Sequence, residues 1–291
     1  MDYFSLLSRD CPKTGGGVHK YLFWAACLCI ETKVPDAIAF DLIRQKTRGC
    51  GRRVPLGEIQ DAIRYAHQKI LHHIPYKREA SSPEAPRWPK VDTTKRGHII
   101  RHGIGAADLC DLSPSEPDRS AEDFIDLLFP DDPLLCVGKS NSMFATRRRR
   151  VLRNHLERLQ LIVPSSMSAC RGLTKDGKWS EHCRENTGPR THLVLDFDSG
   201  SADDHAALIW FLAQKRPLKM AVHTARRGLH GWFKTAGIPE EALLAFVEEA
   251  VSLGADPRMW WKEQFARLPG GWRDDGKAKG RQNVLYFADA V

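Results

Sequence analysis

Two aspartates separated by one residue end an otherwise apolar and β-branched run at residues 191–198. Such a run predicts a β-strand. Alternate side chains of a strand share a face, so Asp196 and Asp198 lie on one face and Leu195 and Phe197 on the other. Neighbouring carboxylates repel each other unless a cation lies between them, and Mg²⁺ or Mn²⁺ suits such oxygen ligands. The pattern therefore favours a divalent-metal site, and the alternative is a strand that ends in a solvated acidic turn.

A basic turn and a histidine follow about 30 residues later. The sequence predicts a strand at 218–223 and a returning strand at 229–233, joined by a turn that contains Arg226 and Arg227. On the second strand His230 and Trp232 share a face. A turn that combines two arginines with a glycine can receive a phosphate group, and His230 directly follows it. The competing interpretation of His230 is an ordinary packed or surface residue.

A third aspartate, Asp256, follows the most clearly delimited helix of the chain, at residues 239–253. Pro239 opens this helix, two glutamates occupy its first turn and Gly254 lies just beyond its end. An aspartate after a helix is commonly a turn residue. Here the segment RLPGG, which begins at Arg267, adds an arginine and a flexible turn nearby.

These segments together resemble a known family. Asp196-x-Asp198, the segment TARRGLHGWF with His230, and Asp256 followed by RLPGGWR resemble the three motifs of the archaeo-eukaryotic primase superfamily, in the branch carried by plasmids, phages and integrated elements. The similarity covers residues 121–291. It implies an α+β fold with an RRM-like catalytic core, and the strand–helix–strand–strand–helix–strand order read from the sequence agrees with that.

The resemblance also implies roles for individual residues. Asp196, Asp198 and Asp256 would hold two divalent ions, Mg²⁺ or Mn²⁺. His230 would contact the phosphates of the incoming nucleotide, assisted by three arginines: Arg226, Arg227 and Arg267. One departure is Thr224-Ala225, where the family usually has Ser-Gly before the histidine.

The activity implied by the resemblance is template-dependent nucleotidyl transfer, as a DNA primase or primase-polymerase that replicates a plasmid, phage or integrated element. Its partners would be a DNA template or primer and (d)NTPs. Such chemistry uses two cations, one for the attacking 3′-hydroxyl and one for the leaving pyrophosphate. The sequence contains no Walker A motif, so any replicative helicase would be a separate chain.

The chain divides into three predicted parts. Residues 1–80 form a small helical domain that resembles the primase C-terminal (PriCT) module, through Gly17-Val18-His19, AACLC and VPLGEIQDAIRYAH. Residues 81–120 are rich in proline and serine and predict a connector. Residues 121–291 form the predicted catalytic domain.

Composition limits the classes of protein to consider. The 291 residues are 42% hydrophobic and 27% charged, as in globular proteins. The net charge of +8 favours a polyanionic partner such as nucleic acid. The longest apolar run, residues 21–30, is too short to span a membrane, so we expect no membrane association. Eight cysteines without framework spacing indicate free thiols in a reducing cytoplasm.

Four alternatives remain open from the sequence. Cys170, His182 and Cys183 have ligand types that suit structural zinc, but they lack a CxxC pair and are otherwise ordinary loop residues. The four arginines at 147–150 are either a phosphate contact or a solvated surface. A strand that ends in DxD also occurs in phosphatases of the haloacid dehalogenase kind, in which Gly-Thr or a similar pair directly follows the second aspartate. Finally, the same fold without turnover would be a nucleic-acid-binding replication initiator.

Overall fold

The computed structural model describes Leu7 and residues 10–13, 17–32, 34–71, 86–116 and 118–289. The chain forms two compact units, Met1–Ala85 and Pro86–Val291. The described part of the first unit is helical and the second mixes helices with antiparallel sheets, which confirms the α+β class. No helix within these described ranges has the length and apolar character needed to cross a membrane.

In its described residues the first unit has three α-helices around one apolar core. They are α1 (Val18–Glu31), α2 (Asp36–Lys46) and α3 (Leu56–Leu71). Pro35 immediately precedes α2, where a missing N–H costs nothing. In α3 the apolar residues recur at helical spacing, and Ile59 and Ile63 are buried in the core with Leu22 of α1.

The second unit has five helices and twelve strands in its described residues. The helices are α4 (Thr93–His102), α5 (Ala106–Asp111), α6 (Ala121–Leu128), α7 (Ala202–Ala213) and α8 (Glu240–Ser252). The strands are β1 (Leu134–Ser140), β2 (Met143–Arg148), β3 (Leu161–Ile162), β4 (Gly172–Leu173), β5 (Trp179–Ser180), β6 (His192–Asp196), β7 (Leu218–His223), β8 (Leu229–Lys234), β9 (Ala266–Arg267), β10 (Trp272–Asp274), β11 (Lys279–Arg281) and β12 (Val284–Phe287). Short 3₁₀ helices connect several of them.

The central sheet carries the predicted aspartates. Its strands lie in the order β12-β7-β8-β6 and every neighbouring pair is antiparallel. In the ladder between β6 and β8, Asp196 lies directly opposite His230. The helix α7 follows β6 and is capped by Ser201, whose hydroxyl accepts the backbone N–H of Asp204. The chain order β6-α7-β7-β8-α8, completed by β12 at the edge beside β7, follows the predicted order of strands and helices.

Both faces of the central sheet are covered. Leu193, Leu195 and Phe197 pack in one core with residues of α4, α5, α7 and α8. Val194 and Trp232 face the other way, into a core shared with α6 and the second sheet, whose order is β2-β1-β3-β9. Each such buried side chain contributes about 1.5–3 kcal/mol. Packing on two sides therefore makes β6 a rigid support for the aspartates that end it.

The predicted connector at 81–120 is wrong from residue 86 onward, because this stretch belongs to the second unit. It contains α4 and α5, whose Ile99 and Leu109 are buried in the same core as α7. Gly103 lies so close to α7 that a Cβ there would be 2.5 Å from the Cβ of Ala207. Both helices are short and bury few side chains, so their apolar periodicity is weak. Residues 81–85 lie outside the described ranges.

The arginine run at 147–150 joins elements of the protein to each other. Arg149 is 2% exposed and forms ion pairs of 2.7 Å with Glu122 and with Asp126, both on α6. Arg147 pairs with Glu181, and Arg150 pairs with Asp132. These contacts favour a structural role for the run over a phosphate contact.

Candidate active site

The three predicted aspartates come together at the end of β6. After α8 the chain returns to this strand, where Phe197 pairs with Ala255. The backbone N–H of Asp256 donates to the carbonyl oxygen of Asp196 at 2.7 Å. Asp256 is buried, whereas Asp198 is exposed. A single backbone bridge therefore joins residues that are 60 positions apart in the sequence.

The carboxylates lie within electrostatic reach of one another. Partial burial raises the pKa of Asp198, and the negative charges of Asp196 and Asp256 raise it further. Burial also raises the pKa of Asp196, but its interaction with His230, with weaker contributions from His205 and Arg267, outweighs burial and holds that pKa below its ordinary value. Such mutual repulsion is relieved when a cation binds between the carboxylates.

Asp256 is engaged by an arginine from its own loop. The Nε and Nη2 atoms of Arg258 lie 3.0 Å from Oδ1 and 2.8 Å from Oδ2 of Asp256, and the backbone N–H of Arg258 donates to Oδ1. The Arg258 side chain is 71% exposed. Across the described residues, no three His, Cys, Asp or Glu side chains are grouped so that they could hold a metal ion. The donor chemistry of the three aspartates nevertheless fits Mg²⁺ or Mn²⁺, and Arg258 is the cation that a metal would displace from Asp256.

We expect replacement of Arg258 by alanine to tighten divalent-metal binding, because the guanidinium no longer competes for Asp256. The pair is partly exposed and worth up to about 1 kcal/mol, so the expected gain is roughly two- to fivefold in affinity. Calorimetric titration of the protein with Mn²⁺, without nucleotide, measures it. Arg258→Lys keeps the charge and should change the affinity less. Weaker Mn²⁺ binding by Arg258→Ala would show that the arginine supports the metal site.

His230 lies against Asp196 rather than in an open pocket. His230 is only 5% exposed, and its Nε2 atom lies 3.3 Å from Oδ2 of Asp196. Its Nδ1 accepts the backbone N–H of Arg267 at 3.2 Å. The proton of the imidazole is therefore on Nε2 and faces the carboxylate. Both ring nitrogens are engaged, so His230 has the position of a residue that orients Asp196. The nucleotide contact expected from the sequence stays a prediction.

Arg267 lies beside this pair in a largely buried position. Its Nη1 donates to Oε1 of Gln160 at 3.0 Å, and its Nη2 is 3.4 Å from Asp275. Burial, followed by the nearby charge of Arg273, lowers the pKa of Arg267, while Asp196 is close enough to oppose that change. Arg267 therefore holds positive charge next to the aspartates, as a phosphate contact would require.

Arg226 and Arg227 are exposed and lie in a different place from His230. They line a cleft of about 440 Å³ together with His223 and the residues 200–202 that begin α7. Within the part of the chain that the structure describes, neither arginine forms an ion pair. The partial positive charge at the start of a helix also favours an anion there. The lining of the cleft begins two positions after Asp198 in the sequence, but none of the three aspartates lines it.

Two residues that sequence reasoning did not select hold the loops of the site. The guanidinium of Arg96, on α4, donates to the carbonyl oxygen of Ser199 and to that of Leu253. His205, on α7, places Nε2 3.1 Å from the same Ser199 oxygen and accepts the backbone N–H of Leu229 on Nδ1. Burial lowers the pKa of His205, which favours the neutral form that these two contacts need. Arg96 thereby ties together the loops that follow Asp198 and precede Asp256.

Replacement of Arg96 by alanine should weaken Mn²⁺ binding by roughly 10- to 100-fold, the usual cost of losing a group that orients metal ligands. Calorimetric titration with Mn²⁺ measures the loss. Arg101→Ala is the matched control, because Arg101 lies on the same helix and, among the described residues, hydrogen-bonds only the carbonyl oxygen of Gly97. Full Mn²⁺ affinity in Arg96→Ala would contradict the positioning role.

The residues considered as zinc ligands have other partners. His182 stacks on Phe265, with ring centroids 4.0 Å apart, and its Nε2 contacts the carbonyl oxygen of Glu263. Cys183 is buried and its thiol donates to Oδ1 of Asn186. Burial raises the pKa of that thiol and so disfavours the thiolate that zinc binds. Cys170 is exposed. This geometry favours ordinary packing over a zinc site.

Comparison with protein-family models, with curated proteins and with solved structures finds no match to this chain. The geometry of these side chains and the three sequence motifs are therefore the basis for inferring a function.

Proposed function

We propose that this protein is a template-dependent nucleotidyltransferase, a DNA primase or primase-polymerase of the archaeo-eukaryotic type that serves a plasmid, phage or integrated element. The observation that carries the proposal is the meeting of Asp196, Asp198 and Asp256 at the end of one strand, with His230 and Arg267 beside them. These are the residues that the three sequence motifs select. Three carboxylates backed by a histidine and an arginine suit a metal-bound triphosphate.

Each group of side chains has a distinct task in this proposal. Two divalent ions bound by the aspartates would activate the attacking 3′-hydroxyl and stabilise the leaving pyrophosphate. Arg267, whose charge acts on Asp196, would neutralise the triphosphate, together with Arg226 and Arg227 of the cleft at the start of α7. His230 holds the Asp196 carboxylate in one orientation. Arg96 and His205 hold the loop after Asp198, so that the ligands need little rearrangement during the reaction.

The fold supports the proposal at a coarse level and differs from it in one detail. The elements β6, α7, β7, β8, α8 and β12 follow the β-α-β-β-α-β order expected of an RRM-like core, with short strands inserted before β12. In an RRM the fourth strand lies beside the first, whereas here β12 lies beside β7, the second strand. The three motif-bearing elements β6, β8 and the loop after α8 are unaffected by that difference. The wholly antiparallel sheet also disfavours the phosphatase alternative, whose DxD strand belongs to a parallel sheet.

The proposal is tested by incorporation of labelled nucleotide on a single-stranded DNA template. Separate reactions contain Mg²⁺ or Mn²⁺, dNTPs or NTPs, and a template with or without an annealed primer. We expect template-directed products that require the metal. If the folded protein binds the template but makes no product under any of these conditions, the non-catalytic initiator becomes the better explanation.

A further inference from the structure

A two-stranded ribbon follows the RLPGG segment and takes no part in the chemistry described above. It consists of β10 and β11, with Trp272 opposite Arg281 and Asp274 opposite Lys279. Residues opposite each other in an antiparallel pair share a face. Trp272 is 47% exposed, and the Lys279 side chain is 71% exposed. One face of the ribbon therefore presents an aromatic ring and two basic side chains to solvent.

The opposite face fixes the ribbon to the basic turn between β7 and β8. Arg273 is buried, with Nη2 2.8 Å from Asp275 and Nη1 2.8 Å from the carbonyl oxygen of Thr224. Gly280 has a φ of 155° and lies beside the turn, where a Cβ would be in ordinary contact with the Cβ of Ala225, at 3.6 Å. The ribbon thus adjoins the turn that carries the exposed Arg226 and Arg227. Its exposed tryptophan belongs to an anchored element.

The exposure of Trp272 calls for an explanation because it exceeds that of the other tryptophans. All eight lie in described ranges, and Trp272 alone is exposed, while the other seven are buried or half-buried. The charge around it is positive. Asp275 is paired with Arg273, Asp274 lies 3.7 Å from Lys279, and Asp118 lies 3.6 Å from Arg281, which also donates to the carbonyl oxygen of Arg119. Lys277 adds a further positive charge, so the surface around the ring is positive by one charge.

We propose that this face of the ribbon binds single-stranded nucleic acid, with Trp272 stacked on a base and Lys279 and Arg281 against the phosphates. Basic side chains around an exposed aromatic ring are the combination that holds single strands without regard to sequence. An unpaired base offers its face for stacking, whereas a base within a duplex does not. The inference rests on the proposed function only in naming this strand as the template.

The test measures the anisotropy of a labelled oligo(dT) with the full chain, without metal or nucleotide, at several salt concentrations. Trp272→Ala should weaken binding roughly 5- to 100-fold, the usual effect of losing one stacked base, and Trp272→Phe should retain most of the affinity. Lys279→Ala should lower the slope of log K against log salt by about 0.7. The matched control is the other short ribbon, β4–β5, in which Leu173→Ala and Lys178→Ala should leave binding unchanged.

Three results would overturn the proposal: full affinity in a folded Trp272→Ala protein, equal loss in the β4–β5 control, or equal competition by polyglutamate. The last would mark a general site for acidic polymers. Melting temperatures establish that each variant is folded. If Trp272→Ala is not folded, Lys279→Ala carries the test, and an unchanged salt slope in that variant contradicts the proposal. Because no metal or nucleotide is present, failure here leaves the incorporation assay intact. Conversely, binding through Trp272 without incorporation would remove only the proposed enzymatic function.

Discussion

Replacement of Asp196 by asparagine should reduce nucleotide incorporation by about 10³-fold. The change keeps the shape of the side chain and removes the charge that is needed to bind a metal between Asp196, Asp198 and Asp256. Loss of a single preorganised electrostatic group typically costs about 10²–10³ in rate, and a metal ligand belongs at the upper end of that range. Single-turnover incorporation on a primed template gives the rate.

The matched control for this change is Asp176→Asn. Asp176 is an exposed aspartate in the turn between β4 and β5, so its replacement tests the loss of one negative charge away from the site. Both variants should fold and bind template like the unaltered protein. Incorporation by Asp196→Asn within a few-fold of the control would show that Asp196 is not a metal ligand.

Replacement of His230 by alanine should weaken Mn²⁺ binding by roughly 10- to 100-fold, in addition to any effect on nucleotide affinity. The reason is its contact with Asp196, because without the imidazole the carboxylate loses the group that lies 3.3 Å from its Oδ2 atom. The sequence alone predicts a different result, in which only the nucleotide KM rises. Titration with Mn²⁺ without nucleotide, together with nucleotide KM, separates the two.

A second variant, His230→Gln, allows the same test if His230→Ala does not fold. His230→Ala leaves the backbone N–H of Arg267 without its acceptor, which costs about 1–3 kcal/mol in a buried position. His230→Gln supplies an amide oxygen for that N–H and should fold more securely. If both variants bind Mn²⁺ normally and only their nucleotide KM rises, His230 contacts phosphate and does not orient Asp196.

The parts of the fold that the sequence reveals are those with strong local signals. The alternation of residue types in β6 correctly predicts that Leu195 and Phe197 lie on the other face of the sheet from Asp196. Side chains of a strand alternate between its two faces, so an alternating sequence identifies the buried face. Proline before α8 and glycine after it delimit that helix to within a residue at each end. The sequence also predicts His230 and Trp232 on one face, and the register of β8 against β6 agrees.

The parts that the sequence does not reveal depend on contacts between distant residues. Arg96 hydrogen-bonds the loops beside Asp198 and Asp256. It lies on a polar helix, in a stretch whose composition predicts a connector. The engagement of Asp256 by Arg258 depends on the turn geometry after α8, which residue types do not specify. His205 is the one omission with an available signal, since a histidine in the first turn of α7 lies close to Asp198 in sequence.

The central claim is that Asp196, Asp198 and Asp256 bind metal together, and anomalous diffraction from crystals with Mn²⁺ and a non-hydrolysable nucleotide tests it most directly. We predict anomalous density for Mn²⁺ among these three carboxylates, with the Arg258 side chain moved away from Asp256. Manganese density elsewhere, with Arg258 still paired to Asp256, would contradict the account.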